Sequence, residues 1–295
     1  MERRLLKAVR RRLRELGRRH LNGRFTYTDS TIVEVYLWAV INDRPTCWAC
    51  DPESWRGVTL PPGLPSASQM SRRLRSKSVQ RLRARLERWV LRRQRRATLL
   101  CAIDGHAMEI APHSADRHAG YGRARGGFGK GYKLHMLIDS FGTIWGWRVA
   151  PMHIDEREMA RRMMRELPPT AYLLADTNYN SNRLFRLARQ RGAQMLAPRR
   201  QRGRNRIQGL GNHPQDPGRI RSINLLEQSP SRFGADLLRM RGLIEGAFGT
   251  LTSHANGLNG LRPWVRSYGR VRQWVQAKLI ISEIRRQILT PSPPI

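Results

Sequence analysis

Leu99-Leu100-Cys101-Ala102-Ile103-Asp104 and Ala171-Tyr172-Leu173-Leu174-Ala175-Asp176 are two short apolar runs, each closed by an acid. Runs of this length read as buried strands rather than helices. A carboxylate at the end of such a strand is costly to desolvate unless it meets a metal or a cationic partner. If the two strands are parallel neighbours, Asp104 and Asp176 reach the same edge of a sheet. That makes half of an all-oxygen site suited to Mg²⁺.

Working outward from these runs, residues 112–131 are polar and glycine-rich and are expected to be irregular. Residues 132–138 and 143–150 read as two strands joined by the turn Asp139-Ser140-Phe141-Gly142. A helix is expected over 155–166, with Asp155 as its N-cap and Pro168-Pro169 as its stop. A second, capped by Ser181, runs to Arg191 and closes at Gly192, and 194–197 form a fifth strand. The order β-β-β-α-β-α-β predicts an α/β fold with a mixed five-stranded sheet flanked by helices. Residues 199–235, basic and rich in Gly, Pro and Asn, read as an exposed insertion. Residues 236–251 then read as one helix with Leu237, Met240, Ile244, Phe248 and Leu251 on its apolar face. Glu245 lies on that helix one turn after Arg241. It is the third candidate acid, with Glu227 and Asp236 as the nearest alternatives. Three such acids can hold two divalent ions, Mg²⁺ or Mn²⁺, roughly 3.5–4 Å apart, for in-line displacement at a phosphodiester.

The chain has 295 residues with 55 Lys+Arg against 22 Asp+Glu, a formal charge of +33. A field of that size points to a polyanion, nucleic acid above all. Only Lys7, Lys77, Lys130, Lys133 and Lys278 are lysines; every other basic residue is arginine. The first hundred residues read as helices. Among them, Ser66 caps a short segment carrying Gln69, Arg72 and Arg73, side chains that a helix-turn-helix presents to base edges and phosphates. Lys130 and Lys133 are further candidate phosphate contacts. Residues 126–133 lack the first glycine and the preceding strand that a phosphate-binding loop needs, which argues against ATP. Cys47 and Cys50 have no second pair at zinc-finger spacing, so a zinc site is not expected. Three cysteines do not form a disulfide framework, and the best apolar stretch, residues 32–41, is too short to span a bilayer. A cytoplasmic protein without membrane contact is therefore expected.

Four stretches in order, Ala102-Ile103-Asp104-Gly105, Gly131-Tyr132-Lys133-Leu134-His135, Leu174-Ala175-Asp176-Thr177-Asn178-Tyr179-Asn180-Ser181 and Arg241-Gly242-Leu243-Ile244-Glu245-Gly246-Ala247-Phe248-Gly249, resemble insertion-sequence transposases of the DDE class. The resemblance covers roughly residues 100–280 and implies a ribonuclease-H-like catalytic domain at 98–262, interrupted by the insertion 199–235. It implies a helical DNA-binding region at 1–97, leaving a C-terminal helix and tail at 263–295. It also implies that Asp104, Asp176 and Glu245 bind two Mg²⁺ or Mn²⁺ ions, with Asp104 bridging them. Arg241 would orient Glu245 or contact phosphate. Leu238 and Thr252 stand where many relatives have Tyr and Lys. The implied activity is cleavage of DNA at terminal inverted repeats and joining to target DNA, by a homodimer in the DNA complex at a bacterial nucleoid. A DNA-binding protein without catalysis and a stand-alone nuclease are the rival readings.

Overall fold

The computed structural model describes residues 1–16, 26–91, 97–124, 126–202, 206–207, 209–210, 212–253, 257–258 and 260–289. The chain divides into two compact units. The first comprises Met1–Arg92, Ser253–Leu258 and Gly269–Ile295, and the second Arg93–Thr252 and Asn259–Tyr268.

The first unit is helical. Helix α1 (Glu2–Glu15) buries Leu5, Leu6, Val9 and Leu13 on one stripe. In α2 (Asp29–Ile41), capped by the Thr28 hydroxyl, the buried residues run all round the helix, as a central element requires. Helix α3 (Ala67–Leu74) opens with a capping box: the Ser66 hydroxyl accepts from Gln69 N–H, and the Gln69 side chain accepts from Ser66 N–H. Helix α4 (Lys77–Val90) turns Val79, Leu82, Leu86 and Val90 inward. The C-terminal helix Tyr268–Leu289 packs with these, and its buried Lys278 donates to the Val40 carbonyl and the Asp43 carboxylate at 3.0 and 3.2 Å.

The second unit is built on a six-stranded sheet: β1 (Thr98–Glu109), β2 (Gly120–Ala124), β3 (Gly127–Asp139), β4 (Ile144–Pro151), β5 (Thr170–Leu174) and β6 (Gln194–Leu196). β3 pairs antiparallel with β1 on one edge, and with β2 and β4 in succession along the other. β1, β5 and β6 run parallel. Helices α5 (Glu156–Met163) and α6 (Asn182–Gln190) cover one face, burying Cys101, Ile103, Leu173 and Met195 against Met163 and Phe185. This antiparallel–parallel order of a mixed sheet with flanking helices is ribonuclease-H-like.

Four local expectations need correction. Part of the segment 112–131 is regular: it contributes β2 and the start of β3, giving a sixth strand. Its five strand glycines disguised it, because glycine is depleted from strands. The segment 199–235 is only partly exposed. It contains a two-stranded ribbon, β7 (Gln201–Arg202) with β8 (Arg206–Ile207), and α7 (Pro217–Ile223), whose buried Ser222 accepts from Ala197 N–H at the end of β6. The helix expected over 236–251 is broken into α8 (Phe233–Arg239) and α9 (Gly242–Thr252). At the break, Leu243 and Ile244 N–H groups bond three residues back, and Met240 is left exposed rather than on the apolar face. Ser181 stands at the start of α6, but its side chain makes no capping hydrogen bond.

The β3–β4 turn shows how one side chain fixes a connection. One Asp139 carboxylate oxygen accepts from Phe141 and Thr143 N–H at 2.9 Å each, and the other from the Trp145 indole N–H at 2.9 Å. Gly142 supplies the positive φ of 74°. Asp139 is buried, so Asp139→Ala deprives three donors of their acceptor at once. Thermal melting is expected to show a loss of about 3 kcal/mol. A loss below about 1 kcal/mol would show that water replaces the carboxylate.

Candidate active site

The register of β1 against β5 aligns the two aspartates. Cys101 and Ala102 pair with Leu173 and Leu174, so Asp104 and Asp176 each lie two residues beyond the same rung. Adjacent strands run about 4.8 Å apart, which brings both backbones to one edge. Asp104 is largely buried; one oxygen accepts from Gly105 N–H at 2.7 Å and the other from Arg241 Nη1 at 3.0 Å. Asp176 lies two residues past β5 and caps the short turn Thr177–Tyr179, accepting from Asn178 N–H at 2.8 Å and Asn178 Nδ2 at 3.2 Å. Glu245, on α9, is the exposed member and accepts from Arg241 Nη2 at 2.6 Å. Arg241, in the break between α8 and α9, thus bridges Asp104 and Glu245 with a single guanidinium.

A fourth carboxylate completes the group, and sequence reading passed over it. Glu156 is the first residue of α5, largely buried and ion-paired with Lys133. The available signal was an acid in the first turn of a helix, which the helix dipole explains without any site. Its surroundings become visible only through the field it exerts. Burial raises the Asp104 carboxyl to about 6, and the charges of Asp176 and Glu156 push the same way against Gly105 N–H and Arg241. Asp176 is raised by burial and by Glu156, against the Asn178 N–H and Arg241. Buried Tyr179 lies in the same field, and its hydroxyl has no hydrogen-bond partner among the described residues. His135, on the Gly105 side of β3, is also buried, and desolvation holds its imidazole down to about 3, neutral at physiological pH.

The chemistry of these donors is that of a divalent-ion site. They are all oxygen, Asp104 and Asp176 are both raised above the ordinary carboxylate range by burial and neighbouring negative charge, and a protein cation already bridges Asp104 and Glu245. Among the described residues no group of three or more His, Cys, Asp or Glu stands in a metal-holding arrangement, and Arg241 takes the place between Asp104 and Glu245. The alternative acids are engaged elsewhere: Glu227 pairs with Arg199, and Asp236 with Arg239 at 2.8 Å. His106 stacks on Phe248 with ring centroids 5.2 Å apart, a packing contact.

The candidate DNA contacts are placed very differently from one another. Arg72 is exposed. Gln69 is used in the capping box of α3, and Arg73 is buried with its guanidinium 2.6 Å from Asp29. Lys130 donates to the Ser114 carbonyl at 2.7 Å and lies over the Tyr121 ring. Lys133 is buried against Glu156, not on an open surface.

Comparison with curated proteins returned no match. The family model described as transposase DDE domain matches residues 95–281, more than half of the chain. That span contains the paired strands, the two aspartates beyond their last common rung and the helix bearing Glu245, and the chain belongs to the DDE transposase family.

Proposed function

We propose that this transposase binds the terminal inverted repeats of its own element, cuts the DNA there and joins the ends to target DNA. The observation that carries the reading is the matched position of Asp104 and Asp176, each two residues beyond one rung, with Arg241 bridging Asp104 to Glu245. Asp104, Asp176 and Glu245 would hold two Mg²⁺ or Mn²⁺ ions. When bound, such ions activate a water or 3′-hydroxyl and neutralise charge in an in-line displacement at phosphorus.

The chain's own residues prepare that chemistry. The Thr177–Tyr179 turn orients Asp176, and Gly105 N–H orients Asp104. Lys133 forms an ion pair with Glu156 and so compensates this fourth acid. Arg241 neutralises Asp104 and Glu245, and its guanidinium fork is also suited to meet a phosphate oxygen. On the helical unit, Arg72 is the exposed candidate for DNA contact, whereas Arg73 holds α3 to Asp29. A homodimer engages two DNA ends in this proposal, at the bacterial nucleoid. No helix among the described residues is long and apolar enough to cross a membrane.

The test uses labelled DNA flanking the gene, incubated with Mg²⁺, with Mn²⁺ or with EDTA. The expected result is metal-dependent nicking at the repeat ends followed by strand joining. Cleavage without joining would favour a nuclease, and binding without cleavage a DNA-binding protein only.

A further inference from the structure

The hairpin formed by β2 and the first residues of β3 has two chemically opposite faces. Its register pairs Tyr121 with Lys130 and Arg123 with Phe128, so these four side chains project from one face. The other face carries Gly120, Gly122, Ala124, Gly127, Gly129 and Gly131, nothing larger than a methyl group. That smooth face is needed where the backbone comes close to its neighbours. A Cβ on Gly122 would fall 2.6 Å from the Met152 carbonyl oxygen, and one on Gly131 2.3 Å from that of Met108.

The outer face is open. Phe128 is 79% exposed and Tyr121 52%. Their rings lie nearly parallel, 11° apart, with centroids separated by 6.1 Å. Lys130 Nζ stands 5.7 Å from the Tyr121 ring centre, and Arg123 is exposed beside Phe128. Rings this exposed bury little surface, so they contribute little to the fold by burial. Flanked by cations in a chain of charge +33, they match a partner that offers both π-faces and phosphates.

We propose that this hairpin is a stacking platform for unpaired DNA bases. Tyr121 and Phe128 would take the bases, with Arg123 and Lys130 on the adjoining phosphates. The inference rests on the DNA-processing role proposed above and specifies how that role engages a strand. Lys130 is six residues along β3 from Met136, the partner of Asp104, so roughly 20 Å of strand joins the platform to the carboxylates.

The experiment compares single-stranded and fully paired oligonucleotides of one sequence, by fluorescence anisotropy over a salt series, with the full chain. Tyr121→Ala/Phe128→Ala is expected to weaken single-strand binding about 10- to 100-fold, with duplex binding changed less than about 3-fold. Its salt slope should stay at the wild-type value, whereas Arg123→Ala should lower that slope by about one. Phe128→Trp should retain single-strand affinity. Unchanged single-strand binding by the double variant, or an equal loss on both DNA forms, overturns the platform. If the wild type neither binds nor cuts element ends, the proposed function itself fails; if it cuts them while the double variant binds normally, only the platform fails.

Discussion

Asp104→Asn and Asp176→Asn are each expected to lower metal-dependent cleavage by at least about 1,000-fold, the equivalent of roughly 4 kcal/mol of lost charge stabilisation. Asp104→Asn should at the same time stabilise the metal-free protein. The carboxyl is held at about 6 against an ordinary 3.8, so folding opposes its ionisation. Its contribution is most favourable below pH 3.8 and is lost as pH rises through about 6. At pH 7.5 the loss, in which the attraction of Arg241 is already counted, is about 3 kcal/mol, so the variant should gain roughly 2–3 kcal/mol. Melting in EDTA at pH 7.5 and pH 4 checks the sign, because the variant's advantage should largely vanish at the lower pH. His135 works in the opposite direction in both proteins, its neutral burial favouring higher pH, so it cancels in the comparison. An active Asp104→Asn protein would remove the catalytic assignment. An unchanged melting point at pH 7.5 would show that the carboxylates are not crowded in solution.

Lys133→Met should be the most destabilising single change near the site. It leaves Glu156 as an uncompensated buried carboxylate in the field of Asp104 and Asp176, a loss of about 3–5 kcal/mol. Adding Glu156→Gln removes the stranded charge and should restore most of the stability, which a double-mutant cycle by denaturant unfolding reads directly. The alternative, that Lys133 serves as a phosphate contact, predicts near-normal stability and a DNA-binding salt slope reduced by about one. That result would sink the structural role.

Such contrasts show where local information ends. The apolar runs closing at Asp104 and Asp176 are local signals, since a buried strand must be apolar throughout and a terminal acid stands out against it. Asp155 as a cap and Asp139 in its turn are local in the same sense, because their partners lie within a few residues. The β2–β3 hairpin was also written in sequence, as glycine alternating with Tyr, Arg, Phe and Lys, but strand propensity weighed against it.

What the sequence by itself determined is the order of the main strands and helices and the two acids that close apolar runs, although β1 continues past Asp104 to Glu109, because residues 105–109 go on pairing with β3 after the apolar run has ended. Only the tertiary structure decided which charged side chains serve the site, which hold the fold and which remain free to meet DNA. Lys133 meets Glu156 across 23 positions, Arg73 meets Asp29 across 44, and Arg241 reaches Asp104 across 137. A charge carries no local mark of the partner that folding will bring to it, and burial changes its role from a solvated contact to a structural pair. The same holds for Glu156: as an acid in a helix's first turn it is unremarkable, and as a neighbour in the field of Asp104 and Asp176 it belongs to the site.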